Sequence, residues 1–452
     1  MKKVKLLSTS VTVLFLLTIC TSCGKNATSE SVEAKSTDVS AVTQTTDLTS
    51  TTETPQTSFP YFSKDQVLDD YNTMLDILDK NYPNFITARN LYGANKDEIY
   101  AKYKNKIENL PDELKIDEAL KIYNDFIVEF GQIGHFSVIG PAFYQDELEK
   151  VSQYKDSDNL ASETYKILTN ESAVRTIKYI KDTNFSYRPP FFPERLENTI
   201  YPETPTNISN LTEINENLSY KVIDDSTVYL NINSFDPLDI DKPLLLNFYK
   251  QMNGYKNLVI DITKNGGGSD YYWMYNIVQP NITKDISIPT YSLAKSAGIY
   301  QNLANDTSCN RSSIIYETVS NLPDISNEAL AEFDIAFETD YTVKSIGSTK
   351  SFDGNIYILV GSNVYSASEG FAKISKDSGF ATLVGSNTGG DGGSFLNIQF
   401  FLLPNTGLLF RFSTLFPLNS DDSSNTEFGT KPDFYARENQ SALDRCLEII
   451  GN

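Results

Sequence analysis

The chain has 452 residues, 38 Lys and Arg against 59 Asp and Glu, a net charge of −21 and a single histidine. Charge of that sign and size excludes docking on the phosphate backbone of nucleic acid and electrostatic capture by anionic lipid. Beyond the N-terminal segment that holds Cys20 and Cys23, only Cys309 and Cys446 remain, with no Cys-x-x-Cys pair or Cys/His cluster, which excludes the usual zinc sites, so no metal or other cofactor is expected.

The N-terminus reads as a processing signal. Lys2, Lys3 and Lys5 precede the mostly apolar stretch Leu6 to Cys20, which is too short to span a bilayer comfortably. Thr21-Ser22-Cys23-Gly24 follows and resembles a bacterial lipobox, although Cys20 stands where Leu is usual. Residues 1–22 are therefore expected to be a lipoprotein signal peptide and Cys23 the lipidated residue, with ordinary secretion the alternative. Loss of the three lysines takes the charge to −24, with 35 basic against 59 acidic side chains. The expected location is the extracellular face of the cell membrane. The lipid is then the sole membrane contact, and stable anchoring needs two acyl chains. Cys309 and Cys446 remain, and the sequence leaves their pairing open. Residues 23–60, rich in Ser and Thr, read as a disordered tether.

Residues 61–140 read as an N-terminal helical domain. Ser63-Lys64-Asp65-Gln66 is a capping box, after which Val67, Leu68, Tyr71, Met74, Leu75 and Leu78 share one face. A second helix opens at Pro111 to Glu113 and carries Ile116, Leu120, Tyr123, Ile127 and Phe130 at helical spacing. The lone His135 lies beyond it in Gly131-Gln132-Ile133-Gly134-His135. Residues 141–216 form a linker or inserted region with a helix near Asn159 to Tyr179 and no clear PDZ pattern.

From 217 to 440 strands alternate with helices, the pattern of an α/β core. Strands are expected at 227–232, 257–262, 355–360, 381–384 and 399–403, with a helix from Ser366 to about Asp377 and an irregular insertion at 295–350. Residues 441–452 read as a C-terminal helix.

Three segments carry chemistry. The strand ending at Ile262 runs into Asn265-Gly266-Gly267-Gly268, bare backbone that is either a tight turn or an oxyanion hole. Without a following Gly-Lys-Ser/Thr it is not a phosphate loop. Ser366, in Tyr365-Ser366-Ala367-Ser368-Glu369, opens a helix after a strand. It is an N-cap, with Glu369 completing a capping box, or a nucleophile served by the positive end of the helix. Glu427-Phe428-Gly429-Thr430-Lys431-Pro432-Asp433 is on its own only a turn.

The order of these segments resembles the S41 peptidases, which include the C-terminal processing proteases and the tricorn-like serine proteases. The resemblance spans about 217–437 well and 62–140 moderately. It implies a ClpP/crotonase-like α/β protease core and peptide or protein substrates. It also implies Ser366 as nucleophile, with an oxyanion hole from Gly267 or Gly268 and the amide of Ala367. The processing proteases place a lysine base in a Gly-Lys-Gly segment 25 residues after the serine. Here that segment is Gly390-Asp391-Gly392, and Lys373 has no motif support as a substitute. The resemblance therefore implies the tricorn-like solution, a Ser-His-Glu triad of Ser366, His135 and Glu427, with Asp421 and Asp422 close to the last. Thr263 stands where the family often has Arg. The resulting expectation is a surface-anchored serine endopeptidase working through an acyl-enzyme. The alternatives are a non-catalytic peptide-binding lipoprotein and an esterase on the same fold. Substrate identity and oligomeric state are not legible.

Overall fold

Apolar runs that can be buried on both faces belong in the middle of a parallel sheet. In the computed structural model, Asn257–Asp261 and Asn355–Val360 take those places. The structure describes residues 59–157, 160–187, 206, 208–295, 297–300, 332–333, 335–392 and 398–451. The expected signal peptide, the Cys23 lipidation site, nearly all of the tether and Cys309 lie outside them. Among the described residues no helix is long and apolar enough to cross a membrane.

The central sheet has seven strands, in the order Phe434–Tyr435, Thr382–Gly385, Asn355–Val360, Asn257–Asp261, Thr227–Ile232, Leu218–Val222 and Thr212–Glu213. The first five run parallel, and the last two are added antiparallel. One face is covered by a core that joins Leu230, Leu258, Ile260 and Ile358 to Trp273, Phe371 and Ala372. The other face packs on the C-terminal helix Ala442–Gly451 through Leu443 and the buried Cys446. Asp261 ends its strand without an arginine: Thr263 donates to it from backbone and side chain, and Tyr229 from its hydroxyl.

The N-terminal helices Lys64–Asn81, Phe85–Tyr92, Lys96–Glu108 and Ile116–Val128 form a second apolar core. Ser63 and Gln66 make both halves of the capping box. This core is not self-contained. Phe401, Phe410 and Phe412 of the antiparallel pair Ile398–Leu402 and Leu409–Ser413, with Leu403 and Leu408 of the turn between them, are buried within it. Burial at about 25 cal/mol per Å² of apolar surface makes five such side chains a strong tie between the two parts.

Two readings of the sequence change. Residues 141–183 form three helices, Pro141–Ser152, Leu160–Leu168 and Glu171–Thr183. The helix expected near 159–179 breaks at Asn170, whose side chain accepts from the Ser172 amide and restarts it. The insertion at 295–350 is not wholly irregular. Ile335–Val343 is a nine-residue strand, paired antiparallel along its whole length with Ile286–Ala294.

Candidate active site

Ser366 stands in the turn between the strand Asn355–Val360 and the helix Ala367–Asp377. Its backbone is at φ 58° and ψ −123°, a conformation that costs an L-residue about 1–3 kcal/mol. Neighbours hold it there: its N–H donates to Gly390 at 3.3 Å and its carbonyl accepts from Gly370 at 3.0 Å. The hydroxyl makes no capping bond to its helix. Ser366 Oγ instead lies 3.0 Å from His135 Nε2. The expected capping box is also absent on the other side. Glu369 is buried, and its Oε1 accepts from Asn425 Nδ2 and Thr430 Oγ1, each at 2.6 Å.

His135 reaches the serine because the chain after the helix Ile116–Val128 turns through left-handed backbone. Gly131, Gln132, Gly134 and His135 all have φ between 57° and 68°. Glycine is required at 134 on a second count, since a Cβ there would come within 2.5 Å of the Asn84 side chain. The Tyr82 hydroxyl donates to the Ile133 carbonyl at 3.0 Å, and Ser137 Oγ to the His135 carbonyl at 3.2 Å. The short strand Ser137–Val138 then pairs with Phe410–Arg411.

The other imidazole nitrogen meets an acid, and that acid is Asp391. His135 Nδ1 lies 2.8 Å from Asp391 Oδ2, with the two side chains only 9% and 1% exposed. The approach is at ion-pair distance but bent away from a straight hydrogen bond. Asp391 Oδ2 also accepts a hydrogen bond from the Tyr365 hydroxyl, and the Tyr365 ring lies tilted against the imidazole, centroids 5.1 Å apart. Burial, and then the Asp391 charge, push the Tyr365 hydroxyl well above its usual pKa, so it stays a donor. Asp391 is held by its flanks: Gly392 N–H donates to Asn425 Oδ1 at 3.0 Å, and Asn425 in turn donates to Glu369. With the imidazole proton on Nδ1, facing Asp391, Nε2 is free to accept from the serine. A hydroxyl on an imidazole that rests on a buried carboxylate is the arrangement that lets serine lose its proton as it attacks.

Glu427, expected as the third member, is not at His135. It lies on the short helix Asn425–Phe428, and both carboxylate oxygens accept from Asn90 Nδ2, at 3.1 and 3.2 Å. The physical reason is the backbone. Ser424 Oγ caps this helix by accepting from the Glu427 amide, which turns the carboxylate toward the helix Phe85–Tyr92. Asp421 pairs with Lys431 at 2.9 Å. Lys373 is buried on the serine helix but pairs with Asp377 at 2.6 Å.

The glycine loop lies directly against the serine. A Cβ on Gly267 would sit 2.9 Å from Ser366 Cβ and 3.2 Å from the Ala367 nitrogen. Asn265, which in the sequence is only the first residue of the glycine segment and has no role of its own, fixes this closeness. Its Oδ1 accepts from Gly267 N–H at 3.0 Å and from Ser368 Oγ at 2.6 Å. The Gly267 amide is thereby spent, which corrects its expected place among the oxyanion donors. The Gly268 and Ala367 amides make no hydrogen bond to a described residue. Ala367 carries the first N–H of its helix, which has no intrahelical acceptor and lies at the positive end of the helix dipole.

Residues 226–436 match the family model described as Peptidase family S41. No curated protein matches the sequence. Among solved structures, one from Parabacteroides merdae ATCC 43184, classed as a peptidase, is 18% identical. It aligns over 86% of this chain and 96% of its own, with a TM-score of 0.50. Mature CPAF is 13% identical over 84% of this chain and 94% of its own, also at 0.50. These likenesses carry the fold, and the family match carries the chemistry: residues 226–436 are similar to peptidase family S41, and that match makes the protein a serine-type peptidase.

Proposed function

We propose that the protein is a lipid-anchored endopeptidase at the outer face of the cell membrane. It cleaves peptide bonds through an acyl-enzyme, with Ser366, His135 and Asp391 as its triad. One observation supports the triad above all others: a single imidazole lies 3.0 Å from Ser366 Oγ on one side and 2.8 Å from Asp391 on the other. In this reading His135 Nε2 takes the proton of Ser366 as Oγ attacks the peptide carbonyl. The resulting oxyanion accepts hydrogen bonds from the Gly268 and Ala367 amides. His135 then returns the proton to the leaving amine as the C–N bond breaks. Water repeats the sequence to release the acid. Asp391 holds the Nδ1 proton toward itself and steadies the imidazolium, and Tyr365 fixes Asp391. Lipidation at Cys23 accounts for an acidic domain at a membrane that its charge would not bind.

A fluorophosphonate serine probe on the full chain tests the nucleophile. Labelling is expected in the wild type and absent in Ser366→Ala, and labelling that persisted in the variant would remove the assignment. Cys23→Ala tests the anchor: the protein should leave the membrane fraction, and retention there would contradict lipidation.

A further inference from the structure

Arg411 has no counter-ion among the described residues. It lies on the strand Leu409–Ser413 directly across the ladder from Ser137, two residues past His135. Its guanidinium carbon sits 4.0 Å from the centroid of the Phe143 ring, and its Nε donates to Ser137 Oγ at 3.4 Å. The terminal nitrogens Nη1 and Nη2 have no partner among the described residues and are not sealed from solvent. No described carboxylate lies within ion-pair distance of Arg411, in a chain where acids outnumber bases 59 to 38. By contrast Arg437 and Arg445 both reach Glu448, at 2.8 and 3.1 Å.

The acids near Arg411 are already engaged. Glu147 pairs with Lys150 at 2.6 Å, and Asp391 is held by His135 and Tyr365. Burial lowers the arginine's pKa, while the charges of Glu147 and Asp391 raise it, which puts the guanidinium within electrostatic reach of the triad. It stays cationic regardless. A partly buried cation that has given up water without gaining a counter-ion is an unsatisfied group. A guanidinium held over an aromatic ring, with one edge open, is pre-organised to take a carboxylate in two parallel hydrogen bonds.

We infer that Arg411 is a substrate-binding residue that anchors a peptide carboxylate beside the scissile bond. The carboxylate is either the free C-terminus of the substrate or an Asp or Glu side chain. The inference rests on the peptidase reading above and adds a substrate class to it. Phe143 supports the guanidinium from one side, Ser137 fixes its Nε, and the two open nitrogens take the two carboxylate oxygens.

The experiment measures kcat/KM of the full chain on matched peptides. One pair differs only in a free or amidated C-terminus. The other pairs are amidated and differ by Asp against Asn, or Glu against Gln, on either side of the cleaved bond. One carboxylate peptide should be cleaved about 10- to 100-fold better than its neutral twin, mainly through KM. The pair that shows the effect identifies the source of the carboxylate. The ratio should fall close to one in Arg411→Gln and recover in part in Arg411→Lys, which restores a charge without the fork. Equal rates across every pair in the wild type, or a preference that survives Arg411→Gln, would overturn the inference. If Arg411→Gln does not fold, the wild-type pairs and Arg411→Lys still decide it. If no peptide is cleaved and Ser366 is not labelled, the peptidase reading fails on its own. The Kd ratio of the same peptide pairs on Ser366→Ala then tests Arg411 separately.

Discussion

Two acidic segments meet at the serine end of the molecule, and they are built for different tasks. In Gly389 to Gly392 the backbone turns through φ 83° at Gly390 and 60° at Asp391, which sinks the carboxylate to 1% exposure on the imidazole. In Ser424 to Gly429 the backbone is a single capped helical turn that faces Glu427 outward, to Asn90 of the N-terminal helices. The segments also touch. Gly390 packs so closely that a Cβ would come within 2.3 Å of the Asn425 carbonyl, and Asn425 Oδ1 accepts from Gly392 N–H. The later segment therefore serves the site through Asn425, which holds the loop that presents Asp391, while Glu427 ties the helical part to the core. Backbone conformation, more than the presence of a carboxylate, decides which acid meets the histidine. Ser366, His135 and Asp391 all sit at positive φ, between 58° and 60°, strain that a packed surround keeps in place at a working site.

Ser366→Ala should lower kcat by about 10⁶-fold whichever acid is the partner, read by peptide turnover. Gly267→Ala tests how tightly the glycine loop must close on Ser366. The new methyl displaces either the loop or the serine, and kcat/KM should fall about 100-fold with the fold retained by circular dichroism. Asn425→Ala asks whether the later segment acts by holding the Asp391 loop. Its loss should cost between about tenfold and a hundredfold in kcat with KM little changed.

The smallest effect is on stability, at Asp421. Partial burial raises this carboxyl, but hydrogen bonds from Ser423 and Lys431 outweigh burial and hold it down to about 2. A depressed carboxyl contributes stability that is full above its unfolded value, near 3.8, and is lost as pH falls through about 2. The Asp421–Lys431 pair is about half exposed, so solvent screening keeps the contribution under about 1 kcal/mol. Urea unfolding of Asp421→Asn should therefore show a small deficit at pH 7 that closes by about pH 2.

Much of the fold is legible in the sequence because its signals are local. The Ser63 capping box and the apolar face from Val67 to Leu78 specify the first helix, and the runs at 227–232, 257–262 and 355–360 specify the buried strands. The meeting of His135 and Ser366, 231 positions apart, is legible only through the order of motifs. Three things are not. Asp391 stands where related enzymes place a lysine, so it reads as a lost base, although the same position can supply an acid to a histidine. The strand Ile335–Val343 has its signal in pairing with Ile286–Ala294, and pairing across such a separation leaves no local trace. Asn265 works through its side chain on a neighbouring helix, and among loop residues nothing distinguishes it until Gly267 and Ser368 are seen to share its oxygen.

Two matched variants distinguish Asp391 from Glu427 as the acid that completes the site. Asp391→Asn and Glu427→Gln keep the shapes of both side chains and remove one charge each. Measured side by side on one peptide, Asp391→Asn should lower kcat by about 10⁴-fold, because the imidazole loses both its tautomer and its counter-charge. Glu427→Gln, which still accepts from Asn90, should stay within about tenfold of the wild type. The reverse order, with Glu427→Gln severely impaired and Asp391→Asn nearly as active as the wild type, would contradict the assignment of Asp391.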